Sequence, residues 1–306
     1  MIWTMGEMIV EIMREKEGSP LDKSDVFLGP FPSGAPAIFI STAARLGKKC
    51  GIIGGVGDDD FGKCILDRLK IDGVDCSHVL VDKSGSTGCA FVTYFADGSR
   101  KFIFHIGNTP AAKAKALACE ETPKADFFHI MGCSVMSNED FGKEIVKQAK
   151  AFKDKGAKIS FDPNIRPELL GNARLIEEIM EMTNVFLPGV SEILSLTGKE
   201  NIEDAVSECF KRENIEIIAL KNGSKGCRIF TRERNFEKGI YKVDVKDATG
   251  AGDSFDAAFI SSLSDGKSLE ECAQIAGAAA ALNTSAFGPM EGDISPEIVN
   301  EIINRG

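Results

Sequence analysis

The sequence is poor in the features that mark metalloproteins, membrane proteins and disulfide-rich secreted proteins. It has only three histidines, and no spacing among them suggests a metal site. Its longest apolar stretches, such as residues 276–282, are far shorter than the roughly 20 residues that cross a bilayer. Its nine cysteines form no CxxC pair and are odd in number, which favours reduced thiols. We therefore expect a cytoplasmic protein that does not contact a membrane.

Positive charge is also scarce. The chain has 36 Lys and Arg residues against 46 Asp and Glu residues, so its formal net charge is -10. Duplex nucleic acids are bound by clustered Lys and Arg, and we expect no nucleic-acid partner. A small anionic ligand can still be held locally by backbone N–H groups and a few cations.

Apolar runs alternate with stretches of helical periodicity along most of the 306 residues. Residues 50–53 precede the helical stretch 60–71, and residues 157–161 precede the helical stretch 172–182. This alternation predicts βα units in a largely parallel sheet that is covered by helices. No internal repeat or low-complexity tract divides the chain, so we expect a single domain over residues 1–306.

One region departs from that alternation. Residues 88–94 and 100–105 alternate with period two around Asp97-Gly98, which is a strong hairpin signal. We predict a β-hairpin outside the parallel sheet. Together with early segments of the chain it would form a small β-sheet lid, from approximately residues 11–31 and 87–106, that excludes water from a reaction beneath it.

The clearest chemical signal lies in a glycine-containing loop that leads directly into an apolar helical pattern, residues 247–259. A helix N-terminus presents unpaired N–H groups and a partial positive charge, which suit an anion. Gly250, Ala251 and Gly252 can bring such N–H groups close to a phosphoryl group. Asp253 follows in the same turn and could orient a hydroxyl and accept its proton late in the transfer. Serving only the helix dipole is the alternative for this carboxylate, and the glycines favour the catalytic role.

Residues 247–260 closely resemble the second signature of the ribokinase-like, or PfkB, carbohydrate kinases. Residues 33–47 and 54–62 resemble the first signature of that family, and with residues 6–7 and 283–292 the resemblance covers essentially the whole chain. It implies a ribokinase-like three-layer α/β sandwich with a mainly parallel central sheet and a small β-sheet lid. It also implies ATP and Mg²⁺, and transfer of the γ-phosphoryl group to a hydroxyl of a small sugar.

On the sugar side, the resemblance points to residues of the lid and of the first signature. Gly34 and Ala35 would form a substrate-binding hinge between lid and core, with an ordinary turn as the alternative. Glu11 stands where the family has a sugar-binding Asp, and Ile38 stands where it often has Asn. These two departures put the usual contacts with sugar hydroxyls in question.

Two further residues are assigned to the substrate by resemblance. His105 is placed at the lid position where 2-keto-3-deoxygluconate kinases tend to carry an Arg that meets the substrate carboxylate, and a mostly neutral histidine there suggests a neutral sugar. Arg166 ends a motif shared by fructokinase-like and 2-keto-3-deoxygluconate kinase-like members, and it would hold a substrate oxygen or a phosphate. A structural salt bridge is the alternative for Arg166.

The resemblance also assigns the nucleotide and the cations. Glu192 would bind magnesium through water, although Gly189 replaces the Asn of the family's Asn-x-x-Glu motif and a helix-dipole role is the alternative. Asp247 and Thr249 occupy the positions of a monovalent cation site, which would take K⁺. The residues assigned to ATP are Asn164, Lys221, Asn222, Gly223, Gly226, Gly250, Gly252, Asn283 and Gly288.

Two other nucleotide-binding patterns are excluded. Residues 57–64 nearly spell a Walker A loop, but Cys64 replaces the Ser or Thr that would hold magnesium. No GxGxxG fingerprint lies in the first βα turn, which argues against a dehydrogenase.

We therefore predict an ATP-dependent kinase for a ketohexose of the fructose or tagatose type. A 2-keto-3-deoxygluconate kinase is the alternative within the family, and a catalytically weak sugar-binding protein on the same fold is the alternative of another class. A second copy of the chain, paired through the lid, is the one protein partner that the sequence suggests.

Overall fold

The computed structural model describes residues 1–96, 99–165 and 173–305. Both residues of the predicted Asp97-Gly98 turn, and Arg166, lie outside this part of the chain. The strands are β1 (Ile2–Met5), β2 (Ile9–Arg14), β3 (Phe27–Ser33), β4 (Cys50–Gly57), β5 (Asp75–Asp82), β6 (Gly88–Tyr94), β7 (Arg100–His105), β8 (Phe127–Met131), β9 (Lys158–Asp162), β10 (Thr183–Phe186), β11 (Ile217–Lys221), β12 (Cys227–Phe230) and β13 (Asn235–Lys238). The helices are α1 (Ala35–Arg45), α2 (Asp60–Asp72), α3 (Gly132–Ser137), α4 (Glu139–Asp154), α5 (Ala173–Met180), α6 (Val190–Thr197), α7 (Ile202–Cys209), α8 (Ala251–Ser264), α9 (Leu269–Thr284) and α10 (Pro296–Arg305).

A nine-stranded sheet forms the centre of the molecule, with the order β13-β12-β11-β10-β9-β8-β1-β4-β5. The strands from β11 to β5 are parallel, and β12 and β13 continue the sheet in the antiparallel sense. Strand β1 lies inside the parallel part, where Ile2 pairs with Cys50 of β4 on one side and Phe127 of β8 on the other. The predicted mainly parallel sheet is confirmed.

Alternate residues of the parallel strands pack on opposite faces of this sheet. Ile2 and Phe127 lie in one apolar cluster with residues of α1, α8, α9 and α10. Their neighbours Trp3 and Phe128 lie in a second cluster with residues of α4, α5, α6 and α7. Because both faces are covered, these strands read as continuous apolar runs, and the resulting three layers are the predicted α/β sandwich.

A separate four-stranded sheet has the order β3-β2-β6-β7. Strands β6 and β7 are antiparallel neighbours, as expected for a hairpin, and β2 joins them through a parallel pairing with β6. The side chains of β7 alternate between half-buried and exposed from Arg100 to His105. This small sheet, which consists of β2, β3, β6 and β7, is called the lid below.

The Walker-like loop is a structural turn. Asp59 is the N-cap of α2, and its carboxylate accepts hydrogen bonds from the N–H groups of Gly62 and Thr87 and from the Thr87 hydroxyl. A carboxylate therefore occupies the N-terminus of the helix where a P-loop would hold a phosphate. None of the helices in the described ranges has the length and apolar character required to span a bilayer.

A histidine is buried within the central sheet. His129 of β8 is fully buried, stacks on the ring of Phe39 at 3.8 Å, and lies 2.9 Å through Nδ1 from the Ser160 hydroxyl. Its Nε2 has no hydrogen-bond partner among the described residues. Burial lowers the pKa of His129 to about 3.

We predict that His129 makes the fold sensitive to acid. The unfolded chain binds a proton on this histidine below pH about 6.5, whereas the folded chain does so only near pH 3, so stability is lost as the pH falls through that window. The slope attributable to one such group is up to about 1.4 kcal/mol per pH unit. Urea unfolding between pH 7 and pH 4.5 should show a shallower loss for His129→Gln than for the unchanged chain. Equal slopes would contradict this assignment.

Candidate active site

A cavity of about 210 Å³ lies between the lid and the carboxyl ends of the parallel strands. Strands β1, β8, β9 and β11 all end at this edge, as ligand-binding strands do in open α/β sheets. The N-termini of α1 and α8 point to the same place. Its lining residues are Glu7, Ile9, Glu11, Ser33, Gly34, Ala35, Ile38, Arg100, Phe102, Phe104, Ile106, Cys133, Asp162, Asn164, Glu192, Lys221, Ala248, Thr249, Gly250, Gly252 and Asp253.

The predicted anion-binding loop forms the start of α8. Gly250 is the N-cap residue, with a left-handed φ of 79°. A Cβ at this position would lie 2.6 Å from the Pro289 carbonyl oxygen, so both the conformation and the available space require glycine. Gly252 follows in the first turn and faces the cavity. The first N–H groups of a helix have no partner within the helix, and here they open onto the cavity.

Residues behind the loop hold it in place. Asn283 of α9 donates its side-chain N–H to the Thr249 carbonyl oxygen at 2.7 Å. The Asp247 carboxylate accepts hydrogen bonds from the Thr249 N–H at 2.9 Å and from the Gly288 N–H at 3.0 Å. Asn283 is 1% exposed, so its side chain supports the loop and is not open to an adenine ring. Gly288 is likewise buried against Asp247.

The lid contacts this loop through two side chains. The Tyr94 hydroxyl donates to Asp247 Oδ1 at 3.1 Å and lies 2.7 Å from the Thr249 hydroxyl. Arg100 donates from Nη1 to the same Thr249 hydroxyl at 3.1 Å. Burial, followed by the negative charge of Asp247, raises the pKa of Tyr94 above its usual range, so the phenol remains a donor.

Asp253 lies in the first turn of α8 and is 6% exposed. Asn164 donates its side-chain N–H to Asp253 Oδ1 at 3.1 Å. Asn164 has a left-handed φ of 40°, which is uncommon for a residue other than glycine, and its backbone N–H donates to Asp162 Oδ1 at 3.0 Å. The Asn164 side-chain oxygen is buried and has no hydrogen-bond partner in the described ranges, which suits a ligand or its water.

Lys221, at the end of β11, reaches the floor of the cavity. Its ammonium lies 2.7 Å from Asp162 Oδ2 and 2.8 Å from Asp256 Oδ2. Burial opposes the charge of Lys221, but the surrounding carboxylates outweigh it and raise the pKa of this lysine. A fixed positive charge therefore lies beside the loop, 3.8 Å from the position that a Cβ on Gly252 would take.

Glu192, in the first turn of α6, also lines the cavity. Its carboxylate accepts hydrogen bonds from the Ile165 N–H at 2.7 Å and from the Gly189 N–H at 2.6 Å. Burial, and then repulsion from Asp162, raises the pKa of Glu192. These backbone bonds fix the carboxylate and leave its remaining lone pairs for a water molecule.

The structure brings some of the residues predicted on the sugar side to the cavity and leaves His105 outside it. Glu11 and Ala35 line the cavity, and Glu11 Oε1 accepts a hydrogen bond from the Ser33 hydroxyl at 2.7 Å. Gly34 also lines it, but the close approach that requires glycine is to the Glu7 carbonyl oxygen, 2.4 Å from a Cβ at that position. His105 is exposed on the outer face of the lid, beside Phe91, and is not brought to the cavity.

The predicted nucleotide-side loop begins at the end of β11, beside the cavity. Of the residues assigned to it, Lys221 lines the cavity, whereas Asn222 and Gly223 are exposed in the turn that follows β11. Gly226 packs against the end of β13, where a Cβ would lie 2.0 Å from the Lys238 carbonyl oxygen. The structure therefore does not bring these three residues to the cavity.

The structure adds lining residues that the sequence analysis did not single out. Glu7 follows β1 and accepts hydrogen bonds from Cys133 Sγ at 3.2 Å and from the Ser134 hydroxyl. Asp162 ends β9 and is the first residue of the sequence motif that contains Asn164. Both positions were recognisable as polar residues at strand ends. Arg100, whose orientation depends on the register of β7, carried no such signal.

A glycine loop at a helix N-terminus, a neighbouring carboxylate and a lid over both define a kinase that phosphorylates a small molecule. Comparisons with known proteins agree with this class. The family model described as pfkB family carbohydrate kinase matches residues 4–296. The chain belongs to this family, and it is therefore a phosphotransferase with a hydroxyl acceptor and a ribokinase-like fold.

Individual relatives cover nearly the whole chain. Fructokinase-1 of Oryza sativa subsp. japonica is 31% identical over 94% of this chain and 93% of its own length, and fructokinase-2 of Solanum lycopersicum is 31% identical over 89% and 84%. A provisionally named ribokinase II from E. coli, solved with ATP and Mg²⁺, is 37% identical with a TM-score of 0.92, over 100% of this chain and 99% of that one.

We predict opposite effects on stability for the two glycines of the loop. Gly250→Ala should destabilise the fold by about 1–3 kcal/mol, because alanine is strained at this φ and its Cβ approaches the Pro289 carbonyl. Gly252→Ala, within the helix, should leave stability unchanged or raise it by up to about 1 kcal/mol. Urea unfolding of both variants measures the difference. A loss of stability in Gly252→Ala equal to that in Gly250→Ala would refute the assignment.

Proposed function

We propose that this chain transfers the γ-phosphoryl group of ATP to a hydroxyl of a ketohexose of the fructose type. The observation that carries the proposal is the position of Asp253, which lies in the first turn of α8 directly behind the N–H groups of the anion-binding loop and is held by Asn164 at 3.1 Å. A carboxylate in that position can orient the acceptor hydroxyl beside the transferring group. The plant fructokinase relatives support the ketohexose.

Each part of the site has a distinct task in this proposal. Glu11 and Ser33 hold sugar hydroxyls, and Asp253 orients the acceptor hydroxyl and takes its proton as the bond to phosphorus forms. The N–H groups around Gly250, Ala251 and Gly252 bind the negative charge of the transferring phosphoryl group. When bound, Mg²⁺ neutralises charge on the phosphates of ATP.

The chain's own groups for the nucleotide and cations follow from the same geometry. The unpartnered Asn164 oxygen and the Glu192 carboxylate are the oxygens that would meet the waters of Mg²⁺. We place a K⁺ ion, if one is bound, at the loop of Asp247 and Thr249. The adenine would lie beyond Lys221, towards the exposed turn of Asn222, Gly223 and Gly226.

A sugar acid such as 2-keto-3-deoxygluconate is the second candidate substrate. Arg100 favours it, because this residue lines the cavity and places its guanidinium beside the Thr249 hydroxyl. A carboxylate on the substrate would pair with this side chain. Both sugars belong in the same activity assay.

We predict that Asp253→Asn abolishes turnover with little effect on binding. The loss should be about 10²–10⁴-fold in kcat, the range expected for a missing general base. Phosphorylation is measured with ATP and Mg²⁺ across fructose, tagatose, ribose, adenosine and 2-keto-3-deoxygluconate, and ATP binding is measured by calorimetry. Turnover of the variant within about 3-fold of the unchanged chain would refute the role of Asp253. Sugar binding without turnover in the unchanged chain would indicate a sugar-binding protein.

We also propose a cytoplasmic homodimer that pairs through the lid. The nine cysteines are free thiols, which suits a reducing compartment. The outer face of the lid exposes Phe27 and Ile103, at 36% and 42%, and strands β3 and β7 are its open edges.

Light scattering tests the dimer. The unchanged chain should have twice the chain mass, and Ile103→Glu should convert it to a monomer by placing a charge on the paired face. Ile71→Glu, at an isoleucine of α2 that is 82% exposed in the monomer, is the matched control and should stay dimeric. A monomeric mass for the unchanged chain would exclude the lid dimer.

A further inference from the structure

Two carboxylates share one ammonium beneath the anion-binding loop. Lys221 Nζ lies between Asp162 Oδ2 and Asp256 Oδ2, at 2.7 and 2.8 Å. The side chains of Asp162 and Asp256 are 3% and 0% exposed, and that of Lys221 is 16% exposed. Burial at this depth makes an unbalanced charge costly, so one ammonium does not support two full carboxylate charges.

The two carboxylates differ in the hydrogen bonds that they accept. Asp162 receives Lys221 on one oxygen and the Asn164 N–H on the other, at 3.0 Å. Asp256 receives Lys221 on one oxygen, and its other oxygen has no hydrogen-bond partner in the described ranges.

Asp162, the carboxylate that accepts on both oxygens, is connected to the reacting groups. From Lys221 the contacts run to Asp162, from Asp162 to the backbone of Asn164, and from the Asn164 side chain to Asp253. Asn164 has a left-handed φ of 40°, a conformation that needs such external support. Asp256 lies behind Lys221 and is not part of this series.

We propose that Lys221 and Asp162 are positioning residues, which hold Asn164 in its left-handed conformation and through it set the orientation of Asp253. The inference rests on the proposed phosphoryl transfer at Asp253. Both oxygens of Asp162 are needed, because one accepts from Lys221 and the other accepts from the Asn164 N–H, whereas an amide has only one acceptor oxygen. Asp256 supplies only an oxygen for Lys221, which an uncharged side chain can supply equally well.

A matched pair of substitutions separates this role from simple burial of an ion pair. Asp162→Asn and Asp256→Asn each remove one carboxylate from the same lysine and leave it with the other. Both variants therefore retain one carboxylate beside one ammonium, and a purely structural cluster would respond alike to both. The two variants differ in whether the altered side chain is the one that accepts the Asn164 N–H.

We expect Asp162→Asn to lower kcat by about 10–100-fold, the size of effect that a small displacement of a reacting group produces, with the KM for the sugar within about 3-fold. Asp256→Asn should keep both constants within about 3-fold. An ATP-binding stoichiometry near one in each variant shows that the measured protein is folded. Equal losses in the two variants, or a larger loss in Asp256→Asn, would overturn the proposal.

Crystal structures of the two variants give a second readout that does not depend on turnover. The contact between Asn164 and Asp253 should persist in Asp256→Asn and break in Asp162→Asn. If the unchanged chain phosphorylates none of the sugars, the proposed function fails while the structures still decide the positioning role. A contact that persists in both variants would overturn the positioning role even for an active kinase.

Discussion

A parallel sheet that is buried on both faces leaves only the ends of its strands for polar side chains, and the active site follows from that constraint. Strands β1, β8, β9 and β11 place Glu7, Cys133, Asp162 and Lys221 at one edge. Each βα unit returns the chain to the opposite edge before the next parallel strand begins. Residues separated by more than two hundred positions therefore meet there, and α8 adds its N-terminus to the same place.

The anion-binding loop depends on support from three directions. Asn283 holds the Thr249 carbonyl from behind, Asp247 joins the loop to Gly288, and Tyr94 reaches down from the lid. N–H groups fixed in this way need little reorganisation when charge develops on a phosphoryl group. Because Tyr94 and Arg100 both contact Thr249, a displacement of the lid also perturbs the loop. Exclusion of water and stabilisation of the phosphoryl group are thereby linked.

The sequence predicted the features that depend on consecutive residues. The loop 247–259 and the βα alternation belong to this kind, because helix termini and buried strands have local signatures. The orientation of His105 was not accessible in the same way. A shift of one residue along a strand turns a side chain to the opposite face, so Phe104 and Ile106 face the cavity and His105 does not.

Contacts between distant segments could not be predicted from the sequence either. Asn283 was expected beside the adenine, yet it is buried behind the loop because α9 packs directly against α8. The pairing of Lys221 with Asp162 and Asp256 joins two strand ends and a helix. The spacing of these residues along the chain does not indicate that they pair. Such contacts depend on the order of strands in the sheet, which local patterns do not fix.

The two walls of the cavity differ in chemistry, and this difference bears on the choice of sugar. Phe102, Phe104 and Ile106 form an apolar wall on the lid, where Glu11 lies in the same sheet, while Asp253 lies on the opposite side, at the start of α8. A sugar ring that places its C–H face on the apolar wall directs its hydroxyls towards acceptors on the other side. The carboxylates that line the cavity repel a carboxylate on the substrate, and the guanidinium of Arg100 must offset that repulsion before a sugar acid can bind. A neutral ketohexose meets no such cost, so the charge balance of the cavity favours it over a keto-sugar acid.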